Sequence, residues 1–194
     1  MSRPFTVCLF CSASDGLPAA AQELARAFGE ACARAGYGLV YGGGTRGLMG
    51  IASRAAVAAG GRALGVIPGG LVKRERAGGE QVGSIEVVKS LAERKERMGA
   101  LSDAFVALPG GVGTMDELFE VLTWNDLAMQ DKRVILCHTD GFWDGLIAWF
   151  ERAARDGAVR PTALRRLHFA SSLEQTLQIL RDAASAVAQT TRVG

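Results

Sequence analysis

Short apolar runs alternate with helical stretches along nearly the whole chain, and this alternation constrains the fold more than any single residue. Runs at 5–11, 38–41, 62–67, 85–88, 104–108, 134–137 and 167–170 read as strands. They are continuously apolar rather than alternating, so both faces of each strand are to be covered. Helical stretches separate them at 17–34, 90–101, 118–127, 142–155 and 172–188, and another is opened by residues 42–50 and runs to 59. Leu24 and Phe28, four apart, share one helical face. The pattern predicts an α/β fold, a doubly wound parallel sheet with helices on both faces, in a single domain over 1–194 that ends in a flexible tail at 189–194. Residues 69–83 have no period and are polar and charged, a loop long enough to suggest function. Ligands of such sheets bind at the carboxyl ends of the strands.

Composition narrows the function classes. A net charge of +2, with both signs mixed along the chain, gives no sign of a nucleic-acid binder. No run is long enough to span a membrane and no signal-peptide pattern opens the chain, so a cytoplasmic protein without membrane or nucleic-acid partners is expected. Cys8 and Cys11 spell C-x-x-C, but within a strand they point to opposite faces, roughly 10 Å apart. A disulfide needs Cα atoms within about 7 Å, so no redox or metal pair is expected.

The chemistry centres on Pro109-Gly110-Gly111-Val112-Gly113-Thr114-Met115-Asp116-Glu117. A strand leads in and a helix leads out. Pro109 stops the strand, the glycines let a group approach the backbone, and the free N–H groups of the helix suit an anion such as a phosphate. A second reading stands beside this one: Thr114-x-x-Glu117 is also a capping box, which needs no ligand.

Gly42-Gly43-Gly44-Thr45-Arg46-Gly47 matches G-x-G-x-x-G. It follows the second strand, and no acid ends the next strand at Gly65-Val66-Ile67-Pro68, so a dinucleotide site is disfavoured. Two glycine loops at one edge still fit a phosphorylated ligand. In the helix 90–101, Arg94 falls on the stripe of Leu91, Met98 and Leu101. It is either a structural ion pair or a ligand holder, with Glu117 as candidate partner. With only His138 and His168 present, acid–base chemistry falls to the carboxylates Glu117, Asp116, Glu75 and Glu80. His138 follows a strand at the ligand edge and reads more simply as a polar loop residue.

Tyr41-Gly-Gly-Gly-Thr-Arg-Gly-Leu-Met-Gly50, Glu93-Arg94-Lys95 with Met98, the Pro109–Glu117 motif and Thr123-Trp124 stand in the order and spacing of the Lonely Guy family, which this chain resembles over about residues 5–157. The resemblance implies a Rossmann-like homodimer that needs no cofactor or metal. It implies hydrolysis of the N-glycosidic bond of AMP and cytokinin riboside 5′-monophosphates to free base and ribose 5-phosphate. Arg94 and Glu117 resemble the catalytic pair. Glu75, Arg94, Lys95, Gly110, Gly111, Val112, Gly113, Thr114, Met115, Asp116, Glu117 and Thr123 resemble the substrate contacts. Ser14, Gly43, Gly44 and Met49 join them as candidates at the ligand edge. Arg94 is expected to keep Glu117 ionised. The chain departs from the family at Cys11-Ser12-Ala13-Ser14, at Leu91 and at Asp126, which puts base preference in question. The fold also resembles molybdenum-cofactor carriers, which bind a phosphorylated pterin without turnover, and a broader nucleoside 5′-monophosphate nucleosidase is a further alternative. A decarboxylase would need a Schiff-base lysine, for which no context is found.

Overall fold

The computed structural model describes residues 3–76, 80 and 82–193, the side chains of 190–193 excepted. Among them seven strands form one sheet: β1 (Thr6–Phe10), β2 (Gly38–Tyr41), β3 (Arg62–Pro68), β4 (Ser84–Val88), β5 (Ala104–Ala107), β6 (Arg133–Cys137) and β7 (Leu167–Ala170). Their order is β4-β3-β2-β1-β5-β6-β7 and every pairing is parallel. This is the expected doubly wound sheet. The helices are α1 (Ala19–Arg34), α2 (Gly47–Ala58), α3 (Val72–Glu75), α4 (Leu91–Leu101), α5 (Val112–Asp126), α6 (Asp144–Arg155), α7 (Pro161–Leu164) and α8 (Leu173–Val193).

Each strand sends alternate residues into two cores, because successive side chains leave opposite faces. Val7, Leu9, Leu39, Tyr41, Val106 and Ile135 meet α1, α2 and α8. Cys8, Phe10, Val40, Phe105, Val134 and Leu136 meet α4, α5 and α6. Cys8 and Cys11 lie in different cores, and all four cysteines are free and buried.

Serine caps set two helix starts. Ser90 Oγ accepts from the N–H of Glu93 at 3.1 Å, and the Glu93 carboxylate accepts from the N–H of Lys89 at 2.7 Å. Ser172 Oγ likewise accepts from the N–H of Gln175 at 3.1 Å.

Four elements differ from the sequence reading. The segment expected as an unbroken loop over 69–83 holds a 3-10 turn (Gly69–Leu71) and the single-turn α3, while 77–79 and 81 lie outside the described residues. A pattern of so few residues has no period to detect. α5 begins at Val112 instead of 118, because the backbone is helical as soon as Gly111 is passed. α7 was missed, although Pro161 at its first turn is a start signal. Asp126 ties α7 to α5 through Arg160 and the hydroxyl of Thr162. α8 runs beyond its expected end at 188 to Val193, and Gly194 of the expected tail lies outside the described residues.

α1 and α2 approach closely at Gly29. A Cβ there would stand 2.2 Å from the Ala52 carbonyl oxygen, on a backbone that cannot swing aside. Glycine inside a helix costs about 1 kcal/mol relative to alanine, so its presence reflects the packing. Gly29→Val should therefore destabilise the fold by about 2 kcal/mol through overpacking, read as a lowered urea midpoint with an unchanged m-value.

Candidate active site

The sheet reverses its winding between β1 and β5, and the loops leaving these strands part there. Ser12 stitches them. Its N–H donates to the Pro109 carbonyl at 3.1 Å, and its own carbonyl accepts from the N–H of Leu48 at 2.9 Å, at the start of α2. The carboxyl ends of β1, β2 and β5 thus meet in one crevice.

α4 and α5 bring the central pair to this crevice. Gly99 lets α4 lie against the Trp124 ring of α5, where a Cβ would come within 2.5 Å of the indole. At that spacing Arg94 Nη2 donates to Glu117 Oε1 at 2.8 Å. The Glu117 side chain is 2% exposed and that of Arg94 12%. The capping box that stood as the second reading of Thr114-x-x-Glu117 is not formed. Gly111 is the cap residue of α5 and no side chain bonds there. Thr114 instead folds over Gly110, where a Cβ would lie 2.1 Å from its hydroxyl oxygen. Cβ atoms at Gly111 and Gly113 would meet nothing within 4 Å, so the first turn of α5 is open. Leu91 also departs from the expected stripe: it is 50% exposed, while Met98 beside Arg94 is buried.

The electrostatics differ from expectation too. Arg94 does lower the Glu117 carboxyl, but burial outweighs it and pushes the group from 4.5 up to about 7. Neighbouring Asp116 and Glu120 raise it further and Lys95 opposes them. A buried ion pair recovers its desolvation cost only when its remaining hydrogen-bonding capacity is satisfied. This pair is joined by one hydrogen bond, and the enclosed Arg94 Nε has no partner among the described residues. Burial first, and Glu117 second, raise the Cys8 and Cys11 thiols well above their ordinary value.

The second glycine loop comes close to Arg94. The Cβ positions of Gly42 lie 3.4 Å from Met49 Sδ and 3.5 Å from Arg94 Nη1. Those of Gly44 lie 3.5 Å from both Met49 Sδ and Glu75 Oε2. Gly43, at φ +79°, sits against Ile67. So Glu75, Gly44, Met49, Gly42 and Arg94 follow one another in proximity, and Arg94 leads on to Glu117 through its hydrogen bond. Met115 is half-buried and Val112 is 88% exposed at the start of α5.

Other candidates lie elsewhere. Lys95 bonds Asp116 at 3.0 Å and Glu120 at 2.5 Å. With Thr123, whose hydroxyl donates to the Phe119 carbonyl, it lines a groove on the outer side of α5 whose walls include neither Arg94 nor Glu117. Ser14 lines a cavity of about 460 Å³ between the starts of α1 and α2, beside Arg46 and Arg54. Glu80 is exposed at that same cavity. His138 Nε2 is held by Asp144 Oδ1 at 2.9 Å. Among the described residues no group of three His, Cys, Asp or Glu could hold a metal ion. Sequence reading missed Arg76, a buried residue of the polar segment that bonds the Gly43 carbonyl; only its place between glycine-rich stretches hinted at a role.

A family model described as "Possible lysine decarboxylase" matches residues 49–180. A cytokinin riboside 5′-monophosphate phosphoribohydrolase of Arabidopsis thaliana is 40% identical over 181 residues, 93% of this chain and 84% of that protein. A rice protein (Oryza sativa subsp. japonica) named "Probable cytokinin riboside 5'-monophosphate phosphoribohydrolase" is 45% identical over 164 residues, 84% of this chain and 66% of its own length. The chain belongs to the Lonely Guy family. Solved structures share the fold alone. The molybdenum cofactor binding protein from Rippkaea orientalis superposes with a TM-score of 0.70 at 21% identity, covering 94% of this chain and 98% of that one. The molybdenum cofactor carrier protein from Chlamydomonas reinhardtii gives 0.69 at 22%, covering 95% and 99%.

Within the Lonely Guy pattern, the departures noted in the sequence now have places. Asp126 is paired with Arg160 on the far side of α5 from Glu117. Ser12 makes its loop contacts to Pro109 and Leu48 through the backbone, so those contacts do not depend on its side chain.

Burial of Glu117 makes stability depend on pH. Its folded value lies above the ordinary 4.5, so it favours folding below pH 4.5 and this contribution is lost as pH rises through about 7. Glu117→Gln should remove that decline: relative to the variant, the wild type loses stability between pH 4.5 and 7, read by urea midpoints across the range.

Proposed function

We propose that this chain is a phosphoribohydrolase that hydrolyses the N-glycosidic bond of AMP and of cytokinin riboside 5′-monophosphates. The observation that carries this reading is the buried Arg94–Glu117 pair, 2.8 Å apart, beside an uncapped helix start. The names of the relatives in Arabidopsis and rice support the same reaction.

The bond between C1′ and the base nitrogen breaks with its electron pair leaving on the base, and the sugar passes through an oxocarbenium-like state. Ionised Glu117 stabilises that positive charge and takes a proton from the water that bonds C1′; that proton ends on the base, which leaves neutral, and Glu117 is ionised again. Arg94 Nη2 orients the carboxylate. The N–H groups of the first turn of α5, exposed by Gly111 and Gly113, hold the 5′-phosphate and so position the sugar. Phosphate binding away from the reacting bond favours nucleotides over nucleosides. Glu75, Gly44 and Met49 face the rest of the nucleotide. A chemical step that needs Glu117 ionised gains rate with pH until the carboxyl is fully charged.

The chain acts as a cytoplasmic homodimer in this reading. Val112, Met115, Phe119 and Trp124 line the outward groove on α5, an apolar strip suited to a second copy. The four buried free thiols suit a reducing compartment. No helix among the described residues is long and apolar enough to cross a membrane.

The test is release of free base from AMP and from N6-isopentenyl-AMP. Wild type should release base, with kcat/KM rising along a single acid limb at about 7. Glu117→Gln should lower kcat by roughly 100-fold or more. A wild type that frees no base, or a Glu117→Gln variant of equal activity, overturns the proposal.

A further inference from the structure

Between residues 69 and 87 one described residue is buried, and it is a cation: Arg76, 8% exposed. A segment laid over a sheet edge is ordinarily anchored by an apolar side chain, since a buried guanidinium is costly unless its donors are used. Arg76 Nη1 donates to the Gly43 carbonyl at 2.9 Å. Gly43 has φ +79°, and a Cβ there would come within 2.9 Å of Ile67. The carbonyl that Arg76 grips is therefore presented by a backbone conformation that favours glycine.

A second link runs beside the first. The Thr45 N–H donates to the Glu75 carbonyl at 3.1 Å and the Thr45 hydroxyl to the same oxygen at 3.3 Å. α3 has no buried residue of its own, so these contacts and Arg76 hold Glu75 where it is. Arg74 reaches Glu75 Oε1 at 3.1 Å from an exposed position, while Oε2 stands against Gly44 on the crevice wall. Arg94 lies next, beside Gly42, and holds Glu117 in turn.

We infer that Arg76 is a positioning residue for nucleotide binding: it clamps the second glycine loop to α3 and so fixes the wall, Glu75 included, against which a nucleoside 5′-monophosphate is held. This rests on the nucleotide reading of the crevice. Arg76 acts through Gly43 and Glu75 and does not meet the Arg94–Glu117 pair, so it governs affinity and leaves the bond-breaking step alone.

The experiment compares Arg76→Leu and Arg76→Lys with wild type. Leucine suits a buried site, and replacing a buried charge with an apolar side chain is often neutral for folding, so the variant is expected to fold. Arg76→Leu should raise KM for AMP about tenfold with kcat within about twofold, and Arg76→Lys should recover part of the loss. The acid limb of kcat should stay where it is in wild type. Calorimetric titration with AMP in a Glu117→Gln background, where ligand is not consumed, should show the same weakening of Kd. Unchanged KM and Kd with only a shifted melting temperature make Arg76 a mere anchor and overturn the inference. A fall in kcat at constant KM overturns it as well. A wild type that binds AMP but frees no base removes the hydrolase reading and leaves Arg76 to be decided by Kd. A wild type that binds no nucleotide removes both.

Discussion

Between β1 and β5 the chain changes the direction in which it adds strands. From β1 it winds outward to β2, β3 and β4, then returns to β5 and winds the other way to β7. The connections after β1 and β5 must therefore diverge, and a crevice is left between them at the carboxyl edge. The candidate residues there come from several elements: Gly43 and Gly44 from the β2–α2 loop, Met49 from α2, Glu75 from α3, Arg94 from α4 and Glu117 from α5. Ser12, bonding the loop of β5 with its N–H and the start of α2 with its carbonyl, keeps these pieces in register without using its side chain.

Desolvation is what gives the central pair its chemistry. An exposed Glu–Arg pair would keep its carboxylate charged and contribute little. With the Glu117 side chain 2% exposed, burial outweighs the guanidinium and lifts the carboxyl toward neutrality. The same burial makes the site costly to the fold as pH rises through about 7. The glycines around it follow from the same crowding. Gly99 admits the Trp124 ring and Gly110 admits Thr114, so α4, α5 and the strand end close on the pair.

Two S/T-x-x-E patterns show how far local sequence carries. Ser90-x-x-Glu93 forms its cap, on an exposed helix start where nothing competes for the glutamate. Thr114-x-x-Glu117 has the same spelling but forms none, because α5 starts at Val112 with Gly111 as its cap, so Thr114 is already inside the helix, and Glu117 bonds Arg94 instead. No window of sequence around either motif distinguishes them. The polar segment after β3 was opaque for another reason. α3 is one turn long, and its anchor is a buried arginine, a residue type that pattern reading assigns to the surface. The placement of Lys95 and Thr123 on the outer groove was equally hidden, since adjacent residues on a helix face different ways.

The sequence by itself determined the sheet, its parallel sense, the two-faced helical cover and the glycine loops at its edge, because these follow from local periodicity and from residues that stop strands or free the backbone. It also carried the family motifs, and with them Arg94 and Glu117 as a pair. Only the tertiary structure decided what Glu117 does with its carboxylate, which way its charge is shifted, and that Arg76 holds the second glycine loop. Those outcomes depend on burial and on contacts between elements distant in the chain, and desolvation is a property of the assembled crevice that no stretch of the sequence possesses alone.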